Sequence, residues 1–117
     1  MSFRSLLNRT VQVVPMTVGA EDRYGNQATT PGTPIDDVPA RRDQTSGDED
    51  LVNRDQQVTT VLYSLALRAL DGTEVTLSGR SRIVDGAETF EILGPPELLY
   101  RRRRPHHWEA RAVLIEG

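Results

Sequence analysis

The sequence predicts an all-β fold: a small antiparallel β-barrel or sandwich of about six strands with long loops. Three observations carry the prediction. Runs rich in Val, Ile, Thr and aromatic residues are separated by turn dipeptides, no long helix is convincing, and residues 80–94 spell out a β-hairpin. In that hairpin Asp85-Gly86 sits between two β-rich runs, the strongest short-range hairpin signal a sequence offers. A four-residue turn from Asp85 to Glu88 pairs Ile83 with Phe90, Arg82 with Glu91 and Val84 with Thr89. A two-residue turn would pair Ile83 with Glu88 instead. The first register collects apolar and opposite-charge cross-strand pairs, each contributing about 0.2 to 1 kcal/mol, and is preferred. Ile83, Phe90 and Ile92 face the core in either register, because a shift of two keeps each side chain on its own face. Arg80, Arg82, Thr89 and Glu91 take the other side, and the Arg82 and Glu91 pair is expected to hold register.

The remaining elements follow in chain order. Ser2 to Asn8 reads as a helical turn or an extended arm whose Phe3, Leu6 and Leu7 need a surface to cover. Thr10 to Met16 is the first strand, with Pro15 marking its end. Asp22 to Asn26 is a turn, since Gly25 and Asn26 tolerate positive φ, and Gln27 to Thr30 pairs back as a short strand. Ile35 to Arg42 is a further strand. Asp43 to Gln56 has almost no apolar residues and reads as a long acidic loop, a kind of segment that inside a compact domain is usually functional or disordered. Gln57 to Leu70 fits a helical stripe as well as a strand. The strand is preferred to about Leu67, because β-branched residues dominate its start, and Thr59, Val61, Tyr63, Leu65 and Leu67 share a face. Asp71-Gly72 turns the chain into Glu74 to Leu77, where Val75 and Leu77 share a face. Gly94-Pro95-Pro96 is expected to end the hairpin's second strand, Leu98 to His106 to form an Arg-rich loop, and His107 to Glu116 to close the sheet with Trp108, Ala110, Ala112 and Leu114 on one side.

Size and charge bound the function. With 117 residues the chain fits one domain and a modest core, and 37% apolar with 5% aromatic residues rests that core on aliphatic side chains. So lean a core suits a chain that buries further surface in an assembly. There is no cysteine, hence no disulfide, thiolate metal site or cysteine nucleophile. No signal peptide is evident, and no apolar run is long enough for a membrane-spanning helix, so a soluble protein is expected. The net charge of −3 argues against a general nucleic-acid binder. Its distribution is uneven: Asp36 to Asp55 holds seven carboxylates against three arginines, whereas Arg101, Arg102, Arg103 and Arg104 are consecutive. All 14 basic residues are Arg, through either GC-rich coding or selection for bidentate contacts.

Motifs that carry chemistry are missing. His106 and His107 are adjacent, so in a strand they point to opposite faces and do not chelate one metal together. No Gly-x-Ser-x-Gly elbow and no Gly-rich phosphate cradle occurs, and Ser78 to Ser81 reads as a turn. No pair among the carboxylates is marked out for acid–base work. Neither an enzyme nor a cofactor is expected. The arginine block has three readings: a solvated loop, a contact with DNA phosphates, or a dock for an acidic protein surface such as the acidic loop of a neighbouring copy.

In its order of motifs the chain resembles the head-closure, or head-to-tail stopper, proteins of long-tailed bacteriophages. The resemblance rests on Asp22-Arg23-Tyr24-Gly25-Asn26 after a first strand, Pro39-Ala40-Arg41-Arg42 before a polar loop, Arg82-Ile83-Val84-Asp85-Gly86 answered by Phe90-Glu91-Ile92-Leu93-Gly94-Pro95, and Pro105-His106-His107-Trp108-Glu109-Ala110. Ser81 stands where relatives often carry an acidic residue, and the four-arginine block is peculiar to this sequence. The resemblance implies a virion protein at the neck, assembled in the host cytoplasm as a sixfold or twelvefold ring. Its partners would be other copies, the portal and adaptor ring, and the tail tube or tail terminator, with packaged DNA passing through the channel and no small-molecule substrate. It also implies a channel loop at Asp43 to Gln56, making Asp43, Asp48, Glu49, Asp50 and Asp55 candidates for lining the channel. A carboxylate lining repels phosphate, so such a loop would act as a gate or a surface on which DNA slides. Two other readings stand beside this one: a tail-terminator or minor tail protein, and a small nucleic-acid- or ligand-binding barrel.

Overall fold

The computed structural model describes residues 7–21, 24–25, 27–44 and 59–116. Eight strands run in the order β1 (Arg9–Val14), β2 (Met16–Glu21), β3 (Gln27–Pro31), β4 (Ile35–Gln44), β5 (Thr60–Leu65), β6 (Arg82–Asp85), β7 (Glu88–Arg101) and β8 (Arg104–Glu116). There is no helix among the described residues. Six strands close an antiparallel barrel in the order β1-β4-β5-β8-β7-β6, and β2 and β3 form a separate two-stranded sheet. The fold is therefore all-β, and of the two expected architectures it is the barrel.

Antiparallel closure fixes which connections share an end. β1, β5 and β7 begin, and β4, β6 and β8 finish, at one end, here called the lower end. The β2–β3 ribbon, residues 66–81 and the β7–β8 turn leave from the upper end. Inside, period-2 alternation stacks Val11, Val13, Val38, Ala40, Val61, Tyr63, Leu65, Ile83, Phe90, Ile92, Ala110 and Ala112, all buried. In the described part of the ambiguous Gln57 to Leu70 segment the strand is found, β5 with Val61, Tyr63 and Leu65 inward, but it ends at Leu65 rather than Leu67, and beyond it Ala66 and Ala69 are the buried residues while Leu67 is not. Residues 66–81 cover the upper end, burying Ala69, Val75 and Leu77. The single tryptophan fastens them, its Nε1 donating to the Val75 carbonyl at 3.0 Å.

The β6–β7 hairpin takes the preferred register, Arg82 opposite Glu91, Ile83 opposite Phe90 and Val84 opposite Thr89. Asp85 and Glu88 also pair, which leaves Gly86-Ala87 as the turn. Gly86 has φ 64° and no positive φ is found at Ala87, the pattern of a type II′ turn. Arg82 and Glu91 oppose each other without forming an ion pair, so the expected charge pair does not hold the register.

One expectation is overturned. Gly94-Pro95-Pro96 does not end β7, and Leu98 to His106 is not a loop. The strand passes through the prolines by a bulge: Leu93 pairs with Arg111 and Glu97 with Glu109, so residues 94–96 face Ala110 alone. Gly94 supplies the left-handed turn at φ 73°, and a bulge is where a residue without an N–H fits a sheet. Beyond it Leu98, Leu99, Tyr100 and Arg101 pair with Trp108, His107, Pro105 and Arg104. The outer part of β7–β8 is thus a β-ribbon that continues past the end of β5, whose last partner on β8 is Trp108. The radius of gyration is 15.5 Å and the extents are 51 × 37 × 29 Å, where a compact chain of this length has a radius of about 13 Å.

Candidate functional site

The four sequence-predicted arginines come together at the tip of this ribbon. Arg101 and Arg104 are its last cross-strand pair, and Arg102 and Arg103 are the two turn residues. Both turn residues are left-handed, φ 52° and 67°, as a type I′ turn requires. Asn-Gly is the favoured sequence there, and for a residue with a full side chain this conformation costs about 1 to 2 kcal/mol. All four arginines are exposed, and none makes an ion pair or side-chain hydrogen bond among the described residues. Arg9, Arg41 and Arg42, by contrast, each meet a carboxylate. Tyr100, 63% exposed, and Pro105 flank the tip.

The histidines at the base of the tip correct a second expectation. Leu99 pairs with His107 but Tyr100 pairs with Pro105, so His106 is the extra residue of a bulge. A bulge breaks alternation and turns two neighbouring side chains the same way. The rings consequently meet edge to face, centroids 5.0 Å apart, with 2.8 Å between the two Nδ1 atoms. Burial lowers the pKa of His107, opposed by Glu109, whose Oε2 lies 4.0 Å from Nε2, and reinforced by His106. No cluster of three metal-ligating side chains occurs among the described residues.

Of the candidate channel residues, Asp43 lies on β4 opposite Leu62 and accepts a hydrogen bond from Arg41 at 3.2 Å. Asp48, Glu49, Asp50 and Asp55 lie outside the described residues. β4 finishes and β5 begins at the lower end, so Asp43 and the arginine tip are at opposite ends of the barrel.

At the lower end lies a cluster the sequence did not single out. The alternation that sends Val11, Ala40, Ile83 and Phe90 inward also sends Arg9, Arg42, Asp85 and Glu88 inward one step further along their strands. These form a charged layer of two cations and two anions across the end of the barrel. Asp85 Oδ2 accepts from Arg9 Nη1, from Arg42 Nη1 at 3.3 Å and from Tyr63 Oη at 2.9 Å. Arg42 also donates to Glu88 at 2.9 Å and lies 5.7 Å from the centre of the Phe90 ring. Tyr63 and Phe90 meet edge to face at 5.4 Å, so the layer is seated on the aromatic floor of the core. Burial pushes the Tyr63 phenol well above its usual pKa, and the Glu88 carboxylate raises that of Arg42. With three donors converging on one oxygen, Asp85 is committed to structure. The sequence signal was present: extending the alternation one residue into the turn would have found Asp85 and Glu88.

No protein-family model matches the chain, and no curated protein does. The fold resembles the solution structure of protein SF1141 from Shigella flexneri 2a, with a TM-score of 0.53 and 18% identity over 100% of this chain and 97% of that one. At that identity the likeness is one of fold.

Proposed function

We propose that this chain is a structural protein of a tailed-phage virion, forming a ring at the head–tail interface that joins the portal and adaptor to the tail and helps retain packaged DNA. The observation that carries the reading is the division of the molecule. A sealed barrel, filled by side chains and closed below by the charged layer and above by residues 66–81, serves as a scaffold, and two ribbons project from it at one end. Projecting ribbons on a filled barrel suit assembly, and the order of motifs in the sequence supports the head-closure class over other assembly proteins. The outer wall supports a lateral contact: Leu93, 45% exposed, lies beside Leu62 and Pro95 in a shallow depression. A ring needs two such patches on different sides, in heterologous contact.

Disrupting the gene in its own genome tests the reading. Filled heads that leak DNA and carry no tails are expected; normal tailed, infectious particles, or a locus with no portal gene beside it, would overturn it.

A further inference from the structure

We propose that the arginine tip of the β7–β8 ribbon binds the phosphate backbone of duplex nucleic acid. The inference stands on the tip alone and needs no ring. Four guanidiniums occupy the last cross-strand pair and the two-residue turn of a narrow ribbon. Opposed residues of such a pair have Cβ atoms about 5 Å apart, closer than the screening length of about 8 Å at physiological salt. Like charges so placed destabilise the turn. The turn is further opposed by its backbone, left-handed at both Arg102 and Arg103 where Asn-Gly would be unstrained. No carboxylate among the described residues relieves the repulsion, although the chain as a whole is acidic. Backbone strain and unrelieved charge at one exposed tip are the marks of a site built for a partner outside the chain.

The partner must be a polyanion, and the tip's shape selects among polyanions. The last cross-strand pair and the turn, Arg101 to Arg104, present charge alone, and Tyr100 with Pro105 beside them is a small apolar surface against the buried core about which protein interfaces are organised. Duplex DNA presents one negative charge per about 1.7 Å of axis, and its major groove admits a two-stranded ribbon. The planar forks of adjacent arginines fit phosphate oxygens bidentately. Arginine also pairs with guanine edges, so the assignment to the backbone predicts an affinity that does not vary with the guanine content of the duplex.

The test titrates the isotopically labelled full chain with a short random-sequence duplex at low salt, following backbone amide shifts. Shifts confined to residues 99–107 are expected. The logarithm of affinity should fall with that of salt concentration with a slope of about −3.6, for four phosphates. Each single Arg→Gln substitution at 101, 102, 103 or 104 should reduce the slope by about 0.9, and the fourfold variant should show no shifts while keeping its other amide resonances. Shifts elsewhere, no shifts, or an unchanged slope in the variants would overturn the inference. So would a short polyglutamate peptide that moves the same amides at lower concentration than the duplex, since the tip would then be a dock for an acidic protein surface.

Discussion

Tyr63 donates its phenolic hydrogen to Asp85 at 2.9 Å, joining the buried middle of β5 to the end of β6 across the barrel. The two strands are not neighbours in the sheet, so the bond ties together opposite parts of the wall. Asp85 holds two guanidiniums as well, and its side chain is only 12% exposed. Removing that carboxylate leaves Arg9 without its anion and Arg42 with Glu88 alone, at a site partly withdrawn from water. Asp85→Asn is therefore expected to destabilise the fold by about 3 kcal/mol, lowering Tm by roughly 10 °C. Tyr63→Phe deletes one donor from an acceptor that keeps two others, and should cost about 1 kcal/mol. Urea unfolding of the two variants checks the order; an Asp85→Asn cost no larger than that of Tyr63→Phe would refute the anchoring role.

The same phenol should make the fold sensitive to alkali. Free tyrosine ionises near pH 10, and in the folded chain burial first, then the Asp85 carboxylate, raise the pKa of Tyr63, with Arg42 opposing. The folded state thus keeps a proton that the unfolded state gives up. Its contribution is complete below about pH 10 and is lost as pH climbs beyond that value. The urea midpoint is expected to drop between about pH 9 and pH 11, and Tyr63→Phe should flatten the drop. An equal drop in the variant would assign the effect to other groups.

How much of this could be read beforehand depended on whether neighbouring residues or distant ones decide the structure. The β6–β7 register was legible because cross-strand pairing and turn chemistry are local, and Ile83 with Phe90 sufficed to choose it. The β7–β8 ribbon was not. Pro95 and Pro96 read as strand breakers, and only the bulge opposite Ala110, a relation between two strands, makes them compatible with a sheet. The histidine pair failed for the same reason, since alternation holds only where no bulge intervenes. The charged layer was hidden differently. Alternation within the hairpin already points Asp85 and Glu88 inward, but Arg9 and Arg42 join them on a common face only once β1, β4, β6 and β7 are known to close one barrel. The arginine block was conspicuous from the start. What the structure adds is that its four side chains share one tip, on a backbone that does not suit them.

The His106 bulge should respond to acid. His107 has its pKa lowered by burial, partly offset by Glu109 and added to by His106, and the unfolded value is about 6.5. Here the unfolded state binds the proton more readily. The contribution is complete above about pH 6.5 and is lost as pH falls below it toward the lower folded value. Protonating His107 also turns its Nδ1 into a donor, so it can no longer accept across the 2.8 Å contact with His106. The fold is expected to weaken as pH falls below about 6.5, less so in His107→Gln, with amide shifts concentrated at residues 99 and 105–107. Shifts spread evenly over the barrel would point instead to its carboxylates.

The turn itself offers the sharpest separation of stability from function. Arg102 and Arg103 occupy the two left-handed positions, φ 52° and 67°, that Asn-Gly fills without strain. Replacing them, Arg102→Asn with Arg103→Gly, relieves the steric cost and removes two of four mutually repelling charges. Part of the gain is returned through the greater chain entropy of glycine in the unfolded state. A net stabilisation of about 1 kcal/mol is expected, read as a higher urea midpoint with an unchanged slope. Since the substitution touches no packed side chain, the barrel's amide spectrum should persist while the response to duplex DNA weakens. Stabilisation accompanied by loss of binding would place this turn among the local compromises that function imposes on a fold. A variant no more stable than the original would mean that neither the left-handed backbone nor the crowding of like charges strains the tip.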